Sequence, residues 1–138
     1  MKIFIDTNIL IDYTTQRQPY TENAEKIMDL CINETIQGYI AVHSLLNMFF
    51  ILRKEITDVS RRRSQLLNLT EFLEVVEIDK SIVLDALKNE KFSDFEDCVQ
   101  AECAKRVGAD RIITRNVKDF VNSSIKSITP EELLKEMV

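Results

Sequence analysis

Residues 1–12 read Met-Lys-Ile-Phe-Ile-Asp-Thr-Asn-Ile-Leu-Ile-Asp, an apolar run that stops abruptly at a carboxylate. Ile3, Phe4 and Ile5 form the short β-branched and aromatic block expected of a central strand buried on both faces by helices. In open α/β sheets, ligands bind beyond the carboxyl ends of the strands, where the strand order reverses. An acid directly after a buried first strand therefore falls where chemistry gathers. Capping of the following helix by Asp6 or Thr7 is the alternative, and this stretch alone leaves both readings open.

Outward from this strand, strand-like and helix-like blocks alternate. A polar loop spans Thr14 to Tyr20, and Thr21 is expected to cap a helix that buries Ala24, Ile27, Met28 and Cys31. Tyr39 to Val42 form a second strand, followed by His43, Ser44 and a strongly apolar helix from Leu45 to Leu52, expected to be deeply buried. Thr57-Asp58 offers a cap for a helix that opens with Arg61, Arg62 and Arg63 as an exposed turn and has Leu66, Leu67, Leu69 and Leu73 as its apolar side. Leu73 to Ile78 make a third strand near the sheet edge, and Asp79 caps the helix through Val83, Leu84 and Leu87. Ser93-Asp94-Phe95-Glu96 has capping-box spacing with Ser93 as the cap. Its helix buries Val99, Ala101, Cys103, Ala104 and Val107, and stops at Gly108. Arg111 to Thr114 and Ile125 to Ile128 complete the strands, and Thr129-Pro130-Glu131-Glu132 is a second capping box with Pro at the first helical position.

This order predicts one domain over residues 1–138, a three-layer α/β/α sandwich around a mostly parallel sheet of four to five strands. Hydrophobic content of 45% and charged content of 30% describe an ordinary globular chain. The net charge of −5 argues against broad electrostatic adhesion to nucleic acid and leaves room for a local basic patch. Cys31, Cys98 and Cys103 lack metal-type spacing, and no basic-then-apolar leader or bilayer-length apolar run occurs, so a reducing cytoplasmic setting without membrane contact is expected.

The topology gives the polar residues a common address. Asp6 follows strand one, Ser44 and Asn47 follow strand two, and Thr114, Asn116 and Asp119 follow strand four. Asp94 and Asp97 share one face of the first turn of the helix before strand four, and that helix begins at the same end of the sheet. Carboxylates gathered without cations raise one another's pKa values unless a cation neutralises them. Mg²⁺ or Mn²⁺ suits such oxygen donors, and the chemistry that follows is phosphodiester hydrolysis. Glu96 is assigned to the helix dipole instead.

The segments Ile5-Asp6-Thr7-Asn8-Ile9-Leu10, Asp94-Phe95-Glu96-Asp97 and Ile112-Ile113-Thr114-Arg115-Asn116-Val117-Lys118-Asp119-Phe120 resemble, in order and spacing, the successive motifs of PIN-domain nucleases. The likeness covers nearly the whole chain. It implies an α/β/α sandwich, Mg²⁺- or Mn²⁺-dependent endoribonuclease activity, a toxin role beside a protein antitoxin as in VapC-like toxins, and commonly a homodimer. By motif position Asp6 and Asp97 match metal-binding acids, with Asp94 and Asn47 as further metal ligands, and Asn116 and Asp119 match the polar cluster after the fourth strand. Thr7, Asn8, Ser44 and Thr114 are expected to support them. One departure stands out: Asn47 occupies a position where many PIN domains carry Glu, and a neutral amide should weaken a second ion. A catalytically weakened or inactive module that still binds RNA or a protein is therefore the alternative function.

Arg115 and Lys118 flank the expected crevice and are the candidates for RNA phosphates. His43 reads as a strand-end hydrogen-bonding residue. Phe49, Phe50, Phe92 and Phe95 read as core at helical spacing, while Tyr13 and Tyr20 are candidates for base stacking. A phosphoryl-accepting receiver domain also gathers acids at strand ends, but it wants paired acids after strand one and a lysine after its last strand, and neither is evident.

Overall fold

Ile3 and Ile5 point into one apolar layer and Phe4 into the other. This alternation along the first strand organises the computed structural model, which describes residues 1–138. The strands are β1 (Lys2–Ile5), β2 (Gln37–Ala41), β3 (Glu74–Val76), β4 (Arg111–Ile113) and β5 (Ser127–Ile128), arranged β3-β2-β1-β4-β5 with every pairing parallel. Helices α1 (Thr7–Thr15), α2 (Thr21–Ile32), α3 (Val42–Ile51), α4 (Val59–Thr70) and α7 (Pro130–Glu136) cover the Ile3/Ile5 face. Helices α5 (Lys80–Lys88) and α6 (Phe95–Val107), with a 3₁₀ turn at Val117–Phe120, cover the Phe4 face. The expected three-layer sandwich is thus the observed one, with β3 at an edge. The chain runs from β1 to β2 and β3 on one side and returns to β4 on the other, so the switch point lies between β1 and β4. The Asp6 N–H donates to the Ile113 carbonyl across it at 2.9 Å.

Several local expectations are corrected. Helix α3 is not deeply buried: only Ser44 and Met48 are fully enclosed, while Leu46 is 72% and Phe50 62% exposed. A helix apolar all round must show one face when it lies in an outer layer, and with Val59 and Leu67 of α4 it leaves an open apolar surface. Phe95 is also exposed and Phe49 half-buried outside both apolar layers, whereas Phe92, half-buried, packs against the Phe4-side layer as expected. Tyr20, in a turn whose backbone bonds to Arg17, occupies the cap position of α2, and Thr21 lies inside the helix. Asp94 rather than Ser93 caps α6, its Oδ1 accepting the Asp97 N–H at 2.9 Å. The caps at Asp58, Asp79 and Thr129 are as expected.

Arg62 departs from its neighbours. Its guanidinium is buried 4.5 Å from the Phe49 ring centroid, and it donates to the carbonyls of Ile56 at 3.0 Å and Phe49 at 2.9 Å. It thereby occupies an acceptor in the last turn of α3, where helix carbonyls lack intrahelical partners. Arg62→Ala is expected to lower unfolding free energy in urea by about 2–4 kcal/mol, against at most about 0.5 kcal/mol for Arg61→Ala or Arg63→Ala. Equal losses at all three positions would contradict this role.

Candidate active site

Asp6 ends β1 and takes the cap position of α1, yet its side chain makes no full capping bond; the N–H groups of Thr7 and Asn8 merely lean toward it. Its carboxylate turns inward instead. Oδ1 accepts from Gln100 Nε2 at 2.9 Å and Oδ2 from Thr114 Oγ1 at 2.7 Å. Burial raises the Asp6 pKa, opposed by these hydrogen bonds. Thr114 Oγ1 also accepts the Asn116 N–H at 3.0 Å, so one hydroxyl fixes both the acid and the start of the loop after β4. On the other flank Thr7 Oγ1 and Ser44 Oγ meet at 2.7 Å, joining the first turns of α1 and α3.

Asp97 faces this acid from α6. Burial, followed by the charges of Asp94, Asp6, Asp119 and Glu96, pushes its pKa up to about 7. Five carboxyl groups therefore share one field, Glu96 joining the four acids that the strand order gathers. None of Asp6, Asp94, Asp97 or Asp119 pairs with a Lys or Arg. Asp94 and Asp119 are exposed at the rim, with one Asp94 oxygen committed to the α6 cap. Asn116 is exposed beside them. Asn47 lies one turn beyond Ser44 on α3, half-buried, and its side chain makes no hydrogen bond.

The presumed RNA-binding pair divides. Lys118 is exposed and unpaired, whereas Arg115 reaches back to α1, its Nε 2.7 Å and Nη2 3.3 Å from the fully buried carboxylate of Asp12. Its guanidinium lies 4.1 Å from the Tyr20 ring centroid. Tyr13 is instead engaged edge-on by Phe72. His43 belongs to the first turn of α3, not to a strand end, and both ring nitrogens are buried without a hydrogen bond; Nε2 stands 3.7 Å from Glu96 Oε1. Burial lowers its pKa, so the ring is neutral at pH 7.

Sequence reasoning missed two residues. Gln100 is buried one helical turn beyond Asp97, and that spacing on the same face was the available signal. Asp12 sits in the otherwise apolar stretch of α1, and a buried acid there demands a cationic partner.

The donor set fits a hard divalent ion. The mutual charge on Asp97 is uncompensated, the ligands are oxygens, and the Asn8 amide oxygen beside Asp6 is buried without a partner. No three side chains converge into a closed protein cage. That suits Mg²⁺, which keeps several waters and takes one or two carboxylates.

A parallel α/β/α sandwich with an acid cleft at its switch point is the class this geometry defines. A family model described as PIN domain matches residues 2–118, and the chain belongs to the PIN-domain family. A comparison with curated proteins finds no match. Among solved structures, the chain is similar to VapBC2 from Rickettsia felis bound to a promoter DNA fragment, with 17% identity, TM-score 0.68, and coverage of 94% of this chain and 98% of that one. It is also similar to a toxin–antitoxin complex from Klebsiella pneumoniae, at 23% identity, TM-score 0.68, and 93% and 97% coverage. A third similar structure is VapC20 of Mycobacterium tuberculosis, described as a sarcin-ricin loop cleaving toxin, at 14% identity, TM-score 0.62, and 80% and 86% coverage.

Between about pH 4 and pH 7 the folded chain keeps a proton on Asp97 that the unfolded chain has released, so in metal-free protein this group makes stability fall as pH rises through that window. Asp97→Asn, which carries no charge, is expected to raise Tm at pH 8 by about 2–5 °C in chelator, the half-exposed site being screened by solvent. The gain should vanish by about pH 4. A pH-independent difference would contradict the assigned repulsion.

Proposed function

We propose that this PIN domain is a Mg²⁺- or Mn²⁺-dependent endoribonuclease that hydrolyses phosphodiester bonds in RNA and acts as the toxin of a toxin–antitoxin pair. The observation that carries the reading is the uncompensated acid cleft, in which burial and then the charges of Asp94, Asp6, Asp119 and Glu96 push the Asp97 pKa up to about 7. Asp6 and Asp97 hold the ion, with Asp94 and the Asn47 amide contributing at its periphery. A bound divalent ion supplies acidity to a water and countercharge to the phosphodiester. Gln100 and Thr114 keep the Asp6 oxygens aimed, Asn116 and Asp119 orient the attacking water, and Lys118 meets a phosphate at the rim. Desolvated carboxylates on rigid strand ends support such preorganisation.

The open apolar face of α3 and α4 supports a protein partner, in keeping with the toxin–antitoxin complexes among the similar structures. No helix is long and apolar enough to cross a membrane. The neutral Asn47 favours a second reading, a weakened PIN module that binds RNA or protein without cutting.

With Mn²⁺, the wild-type chain is expected to cut single-stranded RNA. Asp6→Asn and Asp97→Ala should each lower the rate by more than about 100-fold while circular dichroism shows an intact fold, and Gln100→Ala by about 10- to 100-fold. Chelation should abolish cleavage, and Asn47→Glu should tighten metal binding. Cleavage by both acid variants at the wild-type rate would remove the proposal, and no cleavage by wild type with any divalent ion would favour the second reading.

A further inference from the structure

A cavity of about 300 Å³, lined in part by Asn116, opens between α1, the turn before α2, the loop after β4 and the start of α7. Its size is that of a small-ligand pocket. Tyr20 and Pro19 form one wall, and Tyr20 remains 41% exposed although Arg115 covers one face of its ring. The amides of Asn23 and Asn116 and the carboxylate of Glu131 also line the space. Neither amide makes a side-chain hydrogen bond within the chain, and Glu131 contacts only the exposed Lys135, at 3.2 Å.

The charges around the cavity select its occupant. Arg115 is neutralised by Asp12, and Glu131 adds a further negative charge, so the lining repels phosphate. A flat, neutral, donor-bearing group fits: stacking uses the Tyr20–Arg115 tier, and the free amides and carboxylate read its edge. A carboxylate accepts best from two adjacent N–H donors, and among the four RNA bases guanine presents that pair on its Watson–Crick edge. Asn116 lines the cavity, and its N–H bonds the same Thr114 hydroxyl that holds Asp6, so a base seated there lies next to the acid cleft.

We propose that this cavity is a nucleobase subsite selecting guanine beside the scissile phosphate, with Tyr20 as the stacking platform and Glu131 as the reader of the guanine edge. The inference rests on the RNA-cleaving reading for its biological meaning but not for its test. The four 5′-nucleoside monophosphates, which share one phosphate and differ only in the base, are titrated into isotope-labelled, metal-free wild-type protein and followed by NMR, with inorganic phosphate as a control.

GMP is expected to give saturable shifts at Asn23, Asn116 and Glu131 and to bind more tightly than AMP, CMP or UMP. Tyr20→Ala should weaken GMP by about 5- to 100-fold, Tyr20→Phe should retain it, and Glu131→Gln should bring GMP to the level of AMP. Equal responses to all four nucleotides and to phosphate, unchanged by Tyr20→Ala, would overturn the subsite. A chain that cuts RNA but gives that flat response keeps the nuclease reading and loses this one. A chain that cuts nothing yet binds GMP as described does the reverse.

Discussion

A single carboxylate, that of Asp6, is held by two neutral donors from distant parts of the chain, and the rest of the site depends on that grip. Gln100 on α6 donates to one of its oxygens and Thr114 after β4 to the other. A buried acid tolerates its loss of water only when hydrogen-bonded. These bonds therefore tie α6 and the end of β4 to the end of β1. Because the donors carry no charge, they orient the acid without cancelling it. The Asp6 charge is one of those that raise the Asp97 pKa.

Elsewhere in the molecule, cations have been drawn away from the cleft. Arg115 answers Asp12, Arg62 answers helix carbonyls, Arg106 pairs with Asp79 and Arg111 with Glu136. The acids at the ends of β1 and α6 are left with one another, the neutral His43 and the rim lysine. A protein that needed only a stable α/β/α sandwich would gain by pairing or replacing these carboxylates. That they stand unpaired while the arginines are paired elsewhere is the physical argument for a diffusible cation.

The sheet was legible because its signal is local. Ile3-Phe4-Ile5 declares a buried strand within three residues, and the ordering of acids after strands follows from topology alone. Asp6, Asp97 and Thr114 could be named for that reason. Gln100 shares a helix face with Asp97, but a glutamine's spacing does not say that its amide meets a carboxylate 94 residues away. Arg62 was indistinguishable from two adjacent arginines until the end of α3 was placed beneath it. Helix α3 misled because a helix without amphipathic periodicity does not say which face will be covered. Asp94 and Ser93 were neighbouring capping candidates, and one residue of register decided between them.

Direct observation of ion binding tests the central claim. Mn²⁺ titrated calorimetrically into metal-free protein at pH 6.5, in buffers of different ionisation heat, should reveal a saturable site that releases about half a proton or more, because Asp97, with its pKa pushed up to about 7, must deprotonate to bind. The same titration of Asp6→Asn should show that site lost. Heats that never saturate, or a site of equal affinity in the variant, would contradict the account.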